Sequence, residues 1–294
     1  GINDLALGQV GMTKILEDFY ITKEKEIIKK HHTTFPFLIK QFWIWNKGGH
    51  DCLIKVLAEK MADSGNRFIT EADVINALQR LSNKYSDKNY SKVLNILIEE
   101  GVLIKDAAWD DQKKQYFDVI KFSFHKFSDH IIARYLLDKF FDRNKARQSL
   151  QSQNSLGNLF HDERSVLSNI DLIEALMVEF PERIKKNKKL QEKDLIDFLP
   201  KNTRATPQVW SAFIQSLYWR RPENFLNSRG LIKKSIIDYV NKVLLRYENS
   251  SRELLDLFVS TATKPLHPFS ARMLSNYLIN FSIQSRDLFW SEYL

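Results

Sequence analysis

The chain has 294 residues, 44 Lys and Arg against 36 Asp and Glu, and a formal net charge of +8. Hydrophobic residues make up 44% and charged residues 27%, which excludes wholesale disorder, and the length calls for more than one packed unit. Nine Gly and seven Pro are too few to punctuate an all-β fold, so the expected class is mainly α.

The N-terminal 50 residues read as helical. Met12, Ile15, Leu16 and Phe19 recur at helical spacing, and Phe35–Trp45 is apolar almost all round until Gly48-Gly49 breaks the pattern. Leu53, Val56, Leu57 and Met61 predict an amphipathic helix ending near Ser64-Gly65-Asn66. Thr70-Glu71-Ala72-Asp73 starts the next helix, with Thr70 as cap and Asp73 bonding back to the helix start; Val74, Ile75, Leu78 and Leu81 carry it on. After the polar turn Ser86–Asn89, Val93, Leu94, Leu97 and Ile98 predict a third helix, closed by Gly101 as a left-handed cap.

The period then changes. Val102-Leu103-Ile104 reads as a short strand, Trp109–Gln115 as a polar turn, and Phe117–Phe124 as a returning strand. Three helices, a strand, a tip and a strand describe a winged helix over 51–141, closed by a helix from Phe127 to about Phe141. Residues 142–294 read as a helical connector and the start of a helical-repeat region. It opens on a loop or weak helix at Asn144–Asp162. Helices are expected near 165–180, 191–199, 207–219, 231–247, 251–263, 269–282 and 285–294, with prolines between them or in first turns. The loop and the Gly48-Gly49 break are candidate hinges.

Chemistry-bearing patterns are sparse. The segment Gly8–Lys14 lacks the Gly-Lys pair and spacing of a phosphate-binding loop, and no nucleophile, base and oxyanion set stands out, so no catalytic residue is assigned. The histidine clusters are His31-His32, His50-Asp51-Cys52, His125 with Asp129-His130, and His161-Asp162. His125 and His130 are five apart rather than four, which does not stack two ligands on one helical face, so no metal site is assigned. Cys52 is the one cysteine and reads as a small core residue; a single thiol fits a reducing, cytoplasmic compartment. No apolar run approaches the roughly 18 residues of a membrane span, and the N-terminus has no signal-peptide pattern. Both ends fall within amphipathic pattern, as in a fragment.

Basic charge and a winged helix raise DNA binding, with the third helix in the major groove. Its exposed positions would be Lys88, Ser91, Lys92, Asn95, Glu99 and Glu100, and the two glutamates would repel phosphate. The run 183–189 (R-I-K-K-N-K-K) reads as a solvated helix end or loop ahead of a binding patch. A helical scaffold is the other alternative, supported if Trp210, Tyr218, Trp219 and Phe225 are exposed.

The run Phe122–Leu137, with its strand entering F-S-D-H-x-x-A-R-Y-L-L at Phe127–Leu137, resembles the end of the winged-helix domain in STAND-class signalling ATPases, the NACHT and NLR group. It looks closest to the bacterial antiviral branch called Avs. Glu99-Glu100-Gly101-Val102-Leu103 is similar to that branch's "eGvL" strand. Trp219-Arg220-Arg221-Pro222, His267-Pro268-Phe269-Ser270-Ala271 and Arg286–Ser291 resemble its connector.

The resemblance implies that this chain is a regulatory piece, with an effector domain and a P-loop ATPase (binding ATP or ADP with Mg) before it and a helical-repeat sensor after it. Its implied partners are its own ATPase domain, neighbouring subunits and a phage protein trigger, without a membrane. In that family a histidine three residues before the helix Phe reaches the ADP phosphate. Here Phe124 holds that position and His125, the candidate nucleotide-binding residue, is displaced by one, which on a strand reverses the face.

Overall fold

The computed structural model describes residues 4–31, 52–81, 90–151, 153–184, 193–201, 203, 206–221, 224, 233, 235–236 and 238–239. The Phe35–Trp45 run, Gly48-Gly49, the Ser86–Asn89 turn, Lys185–Lys189, Phe225 and the helices expected beyond 240 lie outside them. The protein is mainly helical with a small two-stranded antiparallel sheet. It divides into two compact units, Lys14–His161 and Asp162–Leu294 together with Gly1–Thr13. Among the described residues, no helix is long and apolar enough to cross a membrane.

Unit Lys14–His161 begins inside α1 (Asp4–His31), a single helix that runs well beyond the stretch its periodicity announced. Leu16, Tyr20 and Ile27 lie on its buried side. Three helices follow, α2 (Leu53–Ser64), α3 (Glu71–Leu81) and α4 (Tyr90–Glu99). Leu53, Leu57 and Met61 of α2 are fully buried, and α2 packs along α5 (His125–Phe140). Each such side chain contributes about 1.5–3 kcal/mol by leaving water.

Helix ends follow their local chemistry. Gly65, at φ 69°, ends α2, and the next amide, of Asn66, donates to Met61 O at 3.1 Å. At α3, Thr70 Oγ1 accepts from the Asp73 amide at 3.2 Å, as expected. The Asp73 carboxylate, however, accepts from the Thr70 hydroxyl at 2.9 Å. Gly101, at φ 67°, ends α4, with Val102 N donating to Leu97 O at 2.9 Å. Nothing lies within 4 Å of a Cβ added there, so Gly101→Ala pays only the left-handed backbone cost, about 1–2 kcal/mol. A lowered urea midpoint is the expected reading, with Gly101→Asn losing less.

The strands β1 (Leu103–Asp110) and β2 (Gln115–Phe122) pair one to one from Leu103↔Phe122 to Asp110↔Gln115. Both are longer at the tip than the sequence pattern announced, because polar residues there sit on an exposed hairpin rather than in a loop. Only residues 111–114 turn: Asp110 Oδ1 accepts from the Gln112 and Lys113 amides at 2.9 and 3.1 Å, and Lys114 takes φ 53°. At the other end β2 stops at Phe122, two residues earlier than expected. Ile69, between α2 and α3, bridges Ile120 on the far side of β2.

The segment after α5 is packed, not bare. It forms α6 (Ala146–Ser149) and a 3-10 turn at Gly157–Phe160, with Leu150, Leu156 and Phe160 buried.

In unit Asp162–Leu294, the helix expected over 165–180 is broken in two. α7 (Glu163–Ser168) is capped by Asp162, whose carboxylate accepts from Ser165 N at 2.7 Å, and α8 (Ile170–Ile184) restarts after Asn169 and runs through Pro181. A 3-10 turn, Leu195–Asp197, replaces the helix expected at 191–199 among the described residues. α9 (Pro207–Trp219) matches its predicted span and packs on α8.

Candidate functional site

The junction from β2 into α5 holds the residues that the sequence singled out. Phe124 precedes the first turn of α5 and is half exposed, with its ring 5.2 Å from Phe19 and 5.4 Å from Phe127. His125 is the first residue of α5 and is exposed. The chain has left the strand by this point, so the one-residue offset of His125 acts at a helix start, where successive side chains diverge by about 100° rather than reversing face. The N-terminal end of a helix of this length carries partial positive charge, and an imidazole there can meet an anion.

Below His125 the motif is spent on packing. Phe127, Ile131 and Leu136 are buried, and Phe127 completes an aromatic cluster with Phe19 and Tyr20 of α1. Burial pushes the Tyr20 phenol up. Asp129 is buried and takes the Arg67 guanidinium at 3.1 Å; His130 is fully buried. His125 and His130 are therefore not brought together: one faces solvent and the other the core.

Further along α5, Tyr135 donates to Glu59 Oε1 at 3.2 Å, and Lys139 reaches Asp63 at 3.3 Å. Burial raises the Tyr135 hydroxyl to about 12. These contacts tie α5 to α2.

The exposed face of α4 carries Ser91, Lys92, Asn95 and Glu99, as its periodicity announced. Glu100 is half-buried. Its Oε1 accepts from Lys30 and lies 3.1 Å from His31 Nε2, so the end of α1 is pinned to the end of α4. The bond from Lys30 and then that from His31 hold the Glu100 carboxyl below the usual range. The Lys30 ammonium also suits the negative end of α4. Nothing in sequence spacing links residues about 70 positions apart, and this contact was not legible.

Among the described residues, no group of three or more His, Cys, Asp or Glu could hold a metal ion. Cys52 is buried and unbridged, and His161 is exposed. Trp210 is buried and Trp219 half-buried, so neither offers the exposed ring a docking scaffold would use. In the same unit the W-R-R-P stretch is structural: Arg220 is buried and forks onto Asp194, while Arg221 lies 3.7 Å from Glu182.

No family model, curated protein or solved structure matches the chain.

Proposed function

We propose that residues 51–141 are a winged-helix regulatory module, and that the chain is the regulatory and connector part of a STAND-type signalling ATPase of the NACHT-like, Avs-related kind. The carrying observation is element order: α2, α3, α4, β1, β2 and α5 follow one another, and the Ile69–Ile120 bridge joins the α2–α3 connection to the hairpin. This order supports the winged-helix reading, and the F-S-D-H-x-x-A-R-Y-L-L run occupies the helix that follows the hairpin.

In this reading the module is a two-state element whose resting arrangement is favoured by ADP on the neighbouring ATPase domain. Sensing of a protein trigger favours the other arrangement, and ATP exchange with oligomerisation follows in the cytoplasm as an antiviral response. His125 at the exposed start of α5 is the residue to meet the ADP phosphate.

The parent gene provides the test. A G-x-x-x-x-G-K-[ST] segment is expected upstream in the same reading frame; a frame without one sinks the proposal. In the parent protein, His125→Ala is expected to weaken ADP binding roughly ten- to hundredfold, the equivalent of one charge-assisted hydrogen bond of about 1.5–3 kcal/mol. Unchanged ADP affinity removes His125 from the site.

A DNA-binding regulator is the second reading, favoured by exposed Lys92 and Asn95 on α4. Against it, Glu99 is exposed at the end of that helix and Glu100 is already engaged by α1. Duplex affinity falling steeply with salt would favour this reading.

A further inference from the structure

In an antiparallel ladder the N–H and C=O of one residue point the same way, and the direction alternates along the strand. Ile120 exchanges both bonds with Ile69, at 2.8 and 3.0 Å, so its backbone groups face away from β1. Lys105 stands opposite Ile120, which turns the backbone groups of Lys105 outward, to the far edge of β1. Those of Ala107 and Trp109 share that phase. The bond from Ser123 N to Val102 O, at 3.2 Å, falls on the opposite phase, as alternation requires.

The outer edge of β1 is eight residues long, paired without a bulge and free of proline. Among the described residues, no backbone bond from outside the hairpin reaches Lys105, Ala107 or Trp109. Such an edge is a template for strand addition unless something blocks it. Here Asp106 does. Its Oδ1 accepts the outward Ala107 N–H at 2.8 Å, occupying the middle donor of the edge, and its Oδ2 is held by Lys121 of β2 at 2.5 Å.

The edge is also complementary to itself. With Ala107 on a two-fold axis, a second copy running antiparallel sets Lys105 opposite the partner's Trp109, twice by symmetry. An ammonium over an indole face is attractive, and two alanines at the axis leave the backbones free to approach. Lys105 now contacts Asp118 at 3.1 Å and Glu71 at 3.5 Å in exposed pairs that cost little to redirect. Trp109 and Tyr116, an exposed edge-to-face pair on the same sheet face, remain open beside it.

We propose that the outer edge of β1 is a latent docking strand for a second copy of this chain, held closed by the Asp106 carboxylate, which caps the Ala107 amide. The inference stands on the hairpin and its bridge to Ile69 and does not depend on the winged-helix reading.

Sedimentation velocity of the full 294-residue chain tests it. The unsubstituted chain should sediment as a monomer at all concentrations. Asp106→Ala should raise the weight-average mass toward double as concentration rises, and Lys121→Ala, which frees the carboxylate, should do so less. Adding Ala107→Pro to Asp106→Ala should restore the monomer, because proline removes the outward N–H without taking a ladder bond. A monomeric Asp106→Ala with the circular dichroism of the unsubstituted chain overturns the proposal. So does association that Ala107→Pro leaves intact, or a dimer of the unsubstituted chain that Ala107→Pro dissolves.

Discussion

Replacing Arg220 by alanine is expected to cost unit Asp162–Leu294 about 3–5 kcal/mol, the penalty for leaving one member of a buried ion pair alone. The Arg220 side chain is 0% exposed and Asp194 7%. The two terminal guanidinium nitrogens reach the two carboxylate oxygens, and Nη2 also bonds Ser216 Oγ at 3.0 Å. Asp194 in turn caps the 3-10 turn Leu195–Asp197, and Asp197 accepts from the Tyr239 hydroxyl. The Tyr239 ring lies 5.6 Å from Phe213 of α9. Loss of the arginine therefore releases the end of α9, the turn and Tyr239 together. Arg220→Lys should recover only part of the loss, since an ammonium cannot make the two parallel bonds of a guanidinium fork. With two units in the chain, a single unfolding midpoint is ambiguous, so amide exchange in α8 and α9 is the better readout. Protection unchanged in Arg220→Ala would mean that the pair carries no net stability.

Phe122→Ala is expected to cost unit Lys14–His161 about 3–5 kcal/mol. Phe122 is 1% exposed at the end of β2, opposite Leu103, which is fully buried. A cavity there cannot collapse easily, because β2 is held by β1 on one side and by Ile69 on the other. Tyr116, six residues earlier on the same face of the strand, is 71% exposed. Its loss removes only the ring contact with Trp109, so Tyr116→Ala should cost less than about 1.5 kcal/mol. Equal effects from the two substitutions, measured by urea titration of the chain, would contradict this picture of where the hairpin enters the core.

The helices were largely legible because their information is local. Leu53, Leu57 and Met61 repeat at helical spacing, and all three are buried on α2. Gly65 and Gly101 stand where chains leave helices through positive φ, a conformation that disfavours any Cβ. Boundaries were less legible where two local rules compete. The tip of the hairpin has the composition of a loop, yet Trp109 and Tyr116 pair across it, and cross-strand contact outweighed the polarity of single residues. Asn169 broke a continuous apolar pattern that periodicity alone would have run through.

By itself the sequence determined a mainly helical chain and the order of three helices, a hairpin and a helix. Each of these follows from periodicity or from a cap within a few residues. Only the tertiary structure decided that Glu100 takes Lys30 and His31, that Arg220 is sunk onto Asp194, and that Asp106 closes the edge of β1. The first two join charges far apart along the chain, and the third depends on strand phase, which Ile69 sets from outside the hairpin. Charged side chains carry no periodic signal for their partners; their pairing is chosen by which surfaces the apolar core has already brought together.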